Sequence, residues 1–254
     1  MTPDGFDGKV AIVTGGASGI GAACVRLLAA RGARVAALDV KGGEDDGQRV
    51  RFVTVDVADA TQVTRAIDDV HARWGRIDIL VASAGIQRYG TATTTTDDEW
   101  RRVLEVNLTG AWYAARACLR HMTRGSAIVN VSSVQGLATQ RNVCAYTVSK
   151  HGLIGLTRSL AVDYAAAGIR ANAVCPGSVD TPMLRWTASL DPEPSSVLQA
   201  CRDMHPLGRI AEPDEIAEVI CFLAHERASF VTGGVYTVDG GLLSLLGGAP
   251  RTEA

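Results

Sequence analysis

The chain lacks the cysteine pattern that would staple or metallate it. Its six cysteines (Cys24, Cys118, Cys144, Cys175, Cys201 and Cys221) are scattered, with no C-x-x-C pair and no histidine cluster. That spacing excludes a zinc centre and a disulfide scaffold. Small, buried, reduced thiols are expected instead. Charge of one sign is lacking too. A formal net charge of −2 gives no electrostatic reason to expect nucleic acid or an anionic membrane as partner. No hydrophobic run is long enough to span a bilayer. The uncharged stretch Val10–Val25 comes nearest, but it is short and broken by glycines, Thr14 and Ser18. The start, M-T-P-D-G-F-D-G-K, is acidic and lacks the basic region that opens a signal peptide. A soluble, cytoplasmic protein is expected. What is present is an ordinary globular balance, 47% hydrophobic and 20% charged over 254 residues, which favours one α/β domain over residues 1–254.

Short β-branched runs alternate with longer amphipathic ones almost to the end. Lys9–Val13, Arg34–Leu38, Val50–Val55, Asp78–Ala82, Ala127–Val131, Arg170–Val174 and Val235–Val238 read as about seven strands. Their continuous apolar character predicts a sheet covered on both faces. Gly19–Arg31, Thr61–Trp74, Asp97–Met122, Ala145–Ala166 and Pro213–Ala224 read as helices, with Thr96-x-x-Glu99 as a capping box and Pro213 in a first turn. Such alternation predicts a Rossmann-type, doubly wound parallel sheet with helices on both faces. The link V-K-G-G-E-D-D-G-Q-R is too glycine-rich for a crossover helix and reads as a loop, as does Thr91–Thr96. Residues 178–210 form the longest poorly periodic stretch and read as a substrate lid. The G-G-A-P-R-T-E-A tail reads as frayed.

T-G-G-A-S-G-I-G (Thr14–Gly21) follows the first strand and opens the first helix. Glycines there let the backbone turn sharply and approach a pyrophosphate, which the helix N-terminus attracts. Gly15, Ser18, Gly19, Ile20 and Gly21 are therefore candidate cofactor contacts, although the spacing is not G-x-G-x-x-G. Asp39 ends the second strand, where a carboxylate can bond the adenosine ribose and repel a 2′-phosphate. Neither Ser18 nor Val40 supplies an arginine for such a phosphate, so NAD is expected over NADP.

With these residues in place, the chain resembles the short-chain dehydrogenase/reductase family in its single-domain subtype, from Lys9 to about Gly241. T-G-G-A-S-G-I-G matches its T-G-x-x-x-G-x-G, and Tyr146-Thr-Val-Ser-Lys150 its Y-x-x-x-K. Ser133 lies thirteen residues before Tyr146, the family's spacing, whereas Ser132 is off by one. Asn107 in V-N-L-T-G matches its helix asparagine, Asp56-Val57 its adenine contact, and Pro176-Gly177 with Val179 and Thr181 its nicotinamide segment. V-D-G-G (Val238–Gly241) resembles its last strand. One departure stands out. Ser83-Ala84-Gly85 replaces the usual N-A-G, and a serine lacks the two arms of an amide. Ala84 and Gly85 remain expected backbone neighbours of the cofactor.

The resemblance implies a catalytic set of Tyr146, Lys150, Ser133 and Asn107, with no metal. Tyr146 would exchange a proton with an alcohol, Ser133 would bond the substrate oxygen, and Lys150 would clamp the nicotinamide ribose. Asn107 would hold a water relaying protons to Lys150. Because a free phenol titrates near pH ~10, the neighbouring ammonium together with the oxidised nicotinamide is expected to lower Tyr146. Gln140 and Trp186 are candidate substrate contacts, with Met183, Gln87, Arg88 and Gln135 nearby candidates. Together they hint at a small hydroxylated substrate such as a sugar, polyol or hydroxy acid. A homotetramer is expected by resemblance, with Ala111, Ala114, Ala115 and the L-L-S-L-L tail suited to close packing. Three other readings stay open: an NADPH-dependent 3-oxoacyl thioester reductase, disfavoured by Asp39; a nucleotide-sugar epimerase, disfavoured by length; and a non-catalytic NAD-sensing protein.

Overall fold

A computed structural model describes residues 5–246; the tail 247–254, expected to fray, lies outside them. Seven parallel strands form one sheet: β1 (Val10–Thr14), β2 (Arg34–Asp39), β3 (Val50–Thr54), β4 (Ile79–Ala82), β5 (Ala127–Val131), β6 (Arg170–Pro176) and β7 (Val235–Val238). Their order is β3-β2-β1-β4-β5-β6-β7. The chain reverses its direction of winding between β1 and β4, and the crevice outside those strand ends is where such folds hold ligands.

Alternate side chains explain why the strands read as unbroken apolar runs. Val10, Ile12, Ala36 and Leu38 face one layer, built from α2 (Ala60–Trp74), α4 (Gly110–Leu119) and α5 (Cys144–Asp163). Ala11, Val13, Val35 and Ala37 face the other, built from α1 (Gly19–Ala30) and α8 (Pro213–Ala224). Both faces are dry, so neither periodicity nor polarity marks a solvent side. No helix among the described residues is long and apolar enough to cross a membrane.

Several expectations need correction. The long helix expected over Asp97–Met122 is three pieces: α3 (Asp97–Leu104), a π turn (Glu105–Thr109) and α4, ending at Leu119. Its start is as expected, since Thr96 and Glu99 form a reciprocal capping box. Ala111, Ala114 and Ala115 point into the protomer's own core and not outward. The outward face of α4 carries Trp112, stacked against Arg116 at 4.5 Å. Residues 178–210 are not irregular. They contain α6 (Pro182–Ser189) and α7 (Pro194–Asp203), each started by a proline. Both are short, and α7 has no buried residue, so little hydrophobic period is left to read. The cysteines are unpaired, but Cys144 and Cys201 are only half-buried.

The link between β2 and β3 is a loop, as expected. Asp46 organises it by accepting from the N–H groups of Gln48, Arg49 and Val50 at 2.7–2.8 Å.

At the base of the sheet Asp78 ties β1 to β4. It accepts from Val10 N at 3.0 Å and from Arg76 through two bonds, at 2.8 and 2.6 Å. Burial pushes this carboxyl up, but Arg76, the Val10 N–H and Lys9 outweigh it and hold it below its usual value. A depressed carboxyl stabilises the fold above its unfolded pKa and loses that contribution as pH falls. Asp78→Ala is expected to cost roughly 3 kcal/mol at neutral pH, read by urea denaturation, and the gap to the parent should close in acid. A loss within experimental error would show that the cluster contributes nothing net.

Candidate functional site

The site is assembled at the C-terminal ends of β1, β4, β5 and β6. The loop after β1 is held against β2 and β4 by short contacts. Gly15 N–H donates to Leu38 O at 2.8 Å, and the Thr14 hydroxyl accepts from Ser83 and Ala84 N–H at 3.2 Å each. Gly15 has φ +68, and a Cβ on it would lie 2.8 Å from Ala84 Cα. On Gly21 a Cβ would sit 2.0 Å from Gly15 O. Only glycine allows both turns. Ser18 caps α1 in an extended conformation, and its hydroxyl makes no cap bond. A pyrophosphate fits this loop: α1's first-turn N–H groups and a free hydroxyl surround a space that side chains at 15 and 21 would disrupt.

Asp39 lies beside that loop. Its carboxylate accepts from Ala17 N–H at 3.1 Å and Lys41 N–H at 2.9 Å. Asp56 accepts from Ala58 N–H at 3.0 Å and pairs with Arg102 at 2.9 Å, while Val57 is buried against Gly110. The segment after β6 closes the other wall. Gly177 N–H donates to Val238 O at 3.1 Å, and Val179 is buried beside Ala211. Thr181 caps α6 by accepting from Leu184 N–H, and its methyl lies 3.1 Å from where a Gly19 Cβ would be. The 176–181 segment and the glycine loop are therefore neighbours. Ile20 is half-buried against the α1–α8 core.

Tyr146 and Lys150 share the buried face of α5. The Lys150 ammonium lies 5.5 Å from the Tyr146 ring centroid and donates to Val131 O at 2.8 Å. Ser133 follows β5 and caps the short 3-10 turn Val134–Gly136, where Gln135 N–H donates to its hydroxyl at 3.1 Å. Ser132 turns away, donating to Lys150 O at 2.9 Å from inside the core. The two adjacent hydroxyls therefore have different partners.

Asn107 sits in the π turn, almost fully buried. Its amide oxygen accepts from Ile86 N–H at 2.8 Å; its nitrogen donates to Ile86 O at 2.9 Å and Ser149 Oγ at 3.0 Å. One lone pair on the oxygen remains. The point a Gly85 Cβ would occupy is 3.5 Å from that oxygen and 3.6 Å from Lys150 Nζ. A side chain at position 85 would wedge between the two.

The expected lowering of the phenol is not intrinsic to the chain. Burial pushes Tyr146 up to about 12, with the Ser133 hydrogen bond opposing and the Cys175 thiol adding to the rise. Burial pushes Lys150 down to about 8, with Cys175 opposing. The reason is local: the ammonium is itself desolvated and directs a donor at a backbone carbonyl.

The candidate substrate residues divide. Gln140 is exposed. Trp186, on α6, meets the segment after β4: its ring is 6.4 Å from Tyr89 and 5.7 Å from the Arg88 guanidinium carbon. His205 was not singled out from sequence. It is buried, its Nδ1–H donates to Cys201 O at 2.6 Å, and its Nε2 accepts from Ser178 N–H at 3.1 Å. It ties α7 to the segment leaving β6. A lone histidine bonded to backbone leaves no sequence signal.

Comparison with known proteins bears on this geometry. The family model described as enoyl-(acyl carrier protein) reductase matches residues 15–243. A cis-4-hydroxycyclohexanecarboxylate dehydrogenase of Sinomonas cyclohexanicum is 46% identical, covering 94% of this chain and 98% of its own. The chain belongs to the short-chain dehydrogenase/reductase family. A 3-oxoacyl-[acyl-carrier-protein] reductase of Thermotoga maritima is 38% identical, covering 94% of this chain and 99% of its own. Within the family's solved structures, ligand-free aldohexose dehydrogenase of Thermoplasma acidophilum superposes with a TM-score of 0.91 at 39% identity, covering 96% of this chain and 97% of that one. The family, the parallel fold and an oxidoreductase activity are thereby established.

The buried lysine gives a measurable signature. An unfolded lysine near 10.5 binds a proton that the folded one, near 8, has released. Stability therefore rises with pH between those values. The parent minus Lys150→Met difference in unfolding free energy is expected to grow by about 3 kcal/mol from pH 8 to pH 10.5. A flat difference would mean that the ammonium is not desolvated.

Proposed function

We propose that the protein is an NAD-dependent dehydrogenase that interconverts a small secondary alcohol and its ketone. The observation that carries the reading is the buried Tyr146–Lys150 pair, with Ser133 on the same side and the glycine loop alongside. When bound, the nicotinamide supplies the hydride acceptor and, oxidised, a positive charge that favours phenolate.

In oxidation the Tyr146 oxygen takes the alcohol proton. Ser133 holds the substrate oxygen and orients it toward the phenol. Lys150 keeps a charge beside the phenol and clamps the nicotinamide ribose. The free lone pair of Asn107 and the Lys150 ammonium both border the space over Gly85, which suits a water passing protons between them. Gly15, Ser18, Gly19, Ile20 and Gly21 form the pyrophosphate cradle, and Ala84 and Gly85 line it. Asp56 and Val57 border the adenine; Pro176, Gly177, Val179 and Thr181 hold the nicotinamide amide. Reduction of the ketone returns the same proton.

NAD is favoured by Asp39, whose carboxylate beside Ala17 meets ribose hydroxyls well and a 2′-phosphate badly. The same carboxylate argues against the 3-oxoacyl reductase reading with NADPH. The hydroxycyclohexanecarboxylate relative supports a cyclic hydroxy acid among substrates, and the aldohexose relative supports a sugar. Trp186 and Gln140 border the substrate opening, with α6 and α7 as a lid that shields the reaction from water. Exposed Trp112, Val148 and Val162 on α4 and α5 suit a homotetramer contact.

Tyr146→Phe is expected to lower turnover by roughly 10²–10⁴-fold while leaving NAD affinity intact, measured by steady-state kinetics and cofactor titration. Near-normal turnover would sink the mechanism. Because the phenol must lose its proton to act as base, kcat/KM for oxidation should climb with pH and that for reduction should fall. Asp39→Ala should narrow the ratio of NAD to NADP efficiency by about tenfold; an unchanged ratio would put discrimination elsewhere.

A further inference from the structure

Several arginines of this chain are neutralised by carboxylates. Arg76 pairs with Asp78, Arg102 with Asp56, Arg185 with Asp180 and Arg209 with Glu215, each within 3 Å. Arg88 is different. It forms no ion pair with a described residue, and the bond it donates runs from Nη1 to the neighbouring Gln87 O at 2.8 Å. A guanidinium has five N–H donors. Most of them are left without an acceptor among the described residues.

Its position is fixed from both ends. Two residues before it, the N–H and C=O of Ile86 are both bonded by the side chain of Asn107. Two residues after it, Gly90 N–H donates to Asn142 O at 2.7 Å, and Cys144 N–H returns to Gly90 O at 3.1 Å. Cys144 begins the helix that carries Tyr146. Two residues of extended chain span at most about 7 Å, so the Arg88 backbone cannot stray far from either anchor. Over the guanidinium lies Trp186, 5.7 Å from its carbon, with Tyr89 tilted beside that ring. A ring face attracts the cation yet offers it no oxygen, and the Arg88 side chain stays open to solvent and to an incoming ligand. The described neighbours of the guanidinium, Gln87, Tyr89 and Trp186, include no acid.

We propose that Arg88 is a specificity-determining residue that recognises a carboxylate on the substrate, making the preferred substrate a hydroxy acid and not a neutral polyol or sugar. The inference rests on the dehydrogenase reading above. A planar guanidinium matches a carboxylate through two parallel N–H···O bonds, and such a pair would orient the far end of the substrate while Ser133 and Tyr146 engage its hydroxyl. Arg88 touches neither the reacting carbon nor its oxygen, so it acts on selection and not on the proton transfer.

The test compares a cyclic hydroxy acid with its carboxamide and methyl ester, using the full chain, Arg88→Met and Arg88→Lys. The parent should favour the acid in kcat/KM by roughly tenfold or more. Arg88→Met should lower kcat/KM for the acid by about 10–100-fold, mainly through KM, and leave the amide nearly unchanged. Arg88→Lys should recover part of the loss, since it restores the charge without the fork. Equal use of acid and amide by the parent, or equal losses for both in Arg88→Met, would overturn the proposal and leave the dehydrogenase reading standing. Calorimetric titration with acid or amide in the presence of reduced cofactor, a pairing that cannot react, separates the two ideas. Acid binding that depends on Arg88 without turnover of any alcohol would uphold the anion site and count against the dehydrogenase reading. Absence of Arg88-dependent binding would overturn the site itself.

Discussion

A lysine ammonium sealed inside the fold is the constraint around which the site is arranged. Lys150 is 4% exposed, and an unpaired charge so placed would be intolerable. The chain meets this with a backbone carbonyl from Val131, an aromatic ring four residues earlier and the side-chain-free Gly85 beside the ammonium. Each of these depends on something further off. Val131 is held at the end of β5, Tyr146 by the register of α5, and Gly85 by the Thr14 hydroxyl that fixes Ser83 and Ala84. The surroundings of Lys150 thus depend on the same contacts that join the central strands.

The π turn belongs to this arrangement. One extra residue in the turn sets Asn107 between Ile86 and Ser149, where its amide closes three hydrogen bonds. Ser149 in turn donates to Tyr146 O at 2.7 Å. A continuous chain of bonds therefore runs from the segment after β4 to the helix bearing the phenol. Widened turns of this kind occur inside helices at functional sites, and the one here gives a buried asparagine three partners at once.

Much of this was legible in the sequence, and the failures have physical causes. The central strands were readable because both sheet faces are dry there, which makes their runs almost wholly apolar. Spacing separated Ser133 from Ser132, and the fold turns their side chains to opposite purposes. The π turn left no trace, because a single inserted residue barely disturbs hydrophobic periodicity. Helices α6 and α7 hid because both are short and α7 has no buried residue. Ala111, Ala114 and Ala115 misled because small residues suit any close contact, and here the contact is internal. Arg88 and Trp186 are nearly a hundred positions apart, so only the folded chain could reveal their contact. Spacing shows the charge beside the phenol but not the burial that raises it in the chain alone.

The acidic, glycine-rich loop between β2 and β3 has a consequence for the sheet's outer border. In a parallel edge strand every second residue turns its N–H and C=O away from the neighbour. Arg49 and Val55 bond to β2, so Val50 and Phe52 face outward. Three of their groups are already occupied: Val50 N–H by Asp46, Val50 O by Asp46 N–H, and Phe52 N–H by Asp45. Two carboxylates replace the strand that another molecule could otherwise contribute, and their charge repels an approaching chain edge. The segment that least resembles secondary structure is what blunts this side against intermolecular β-pairing and aggregation.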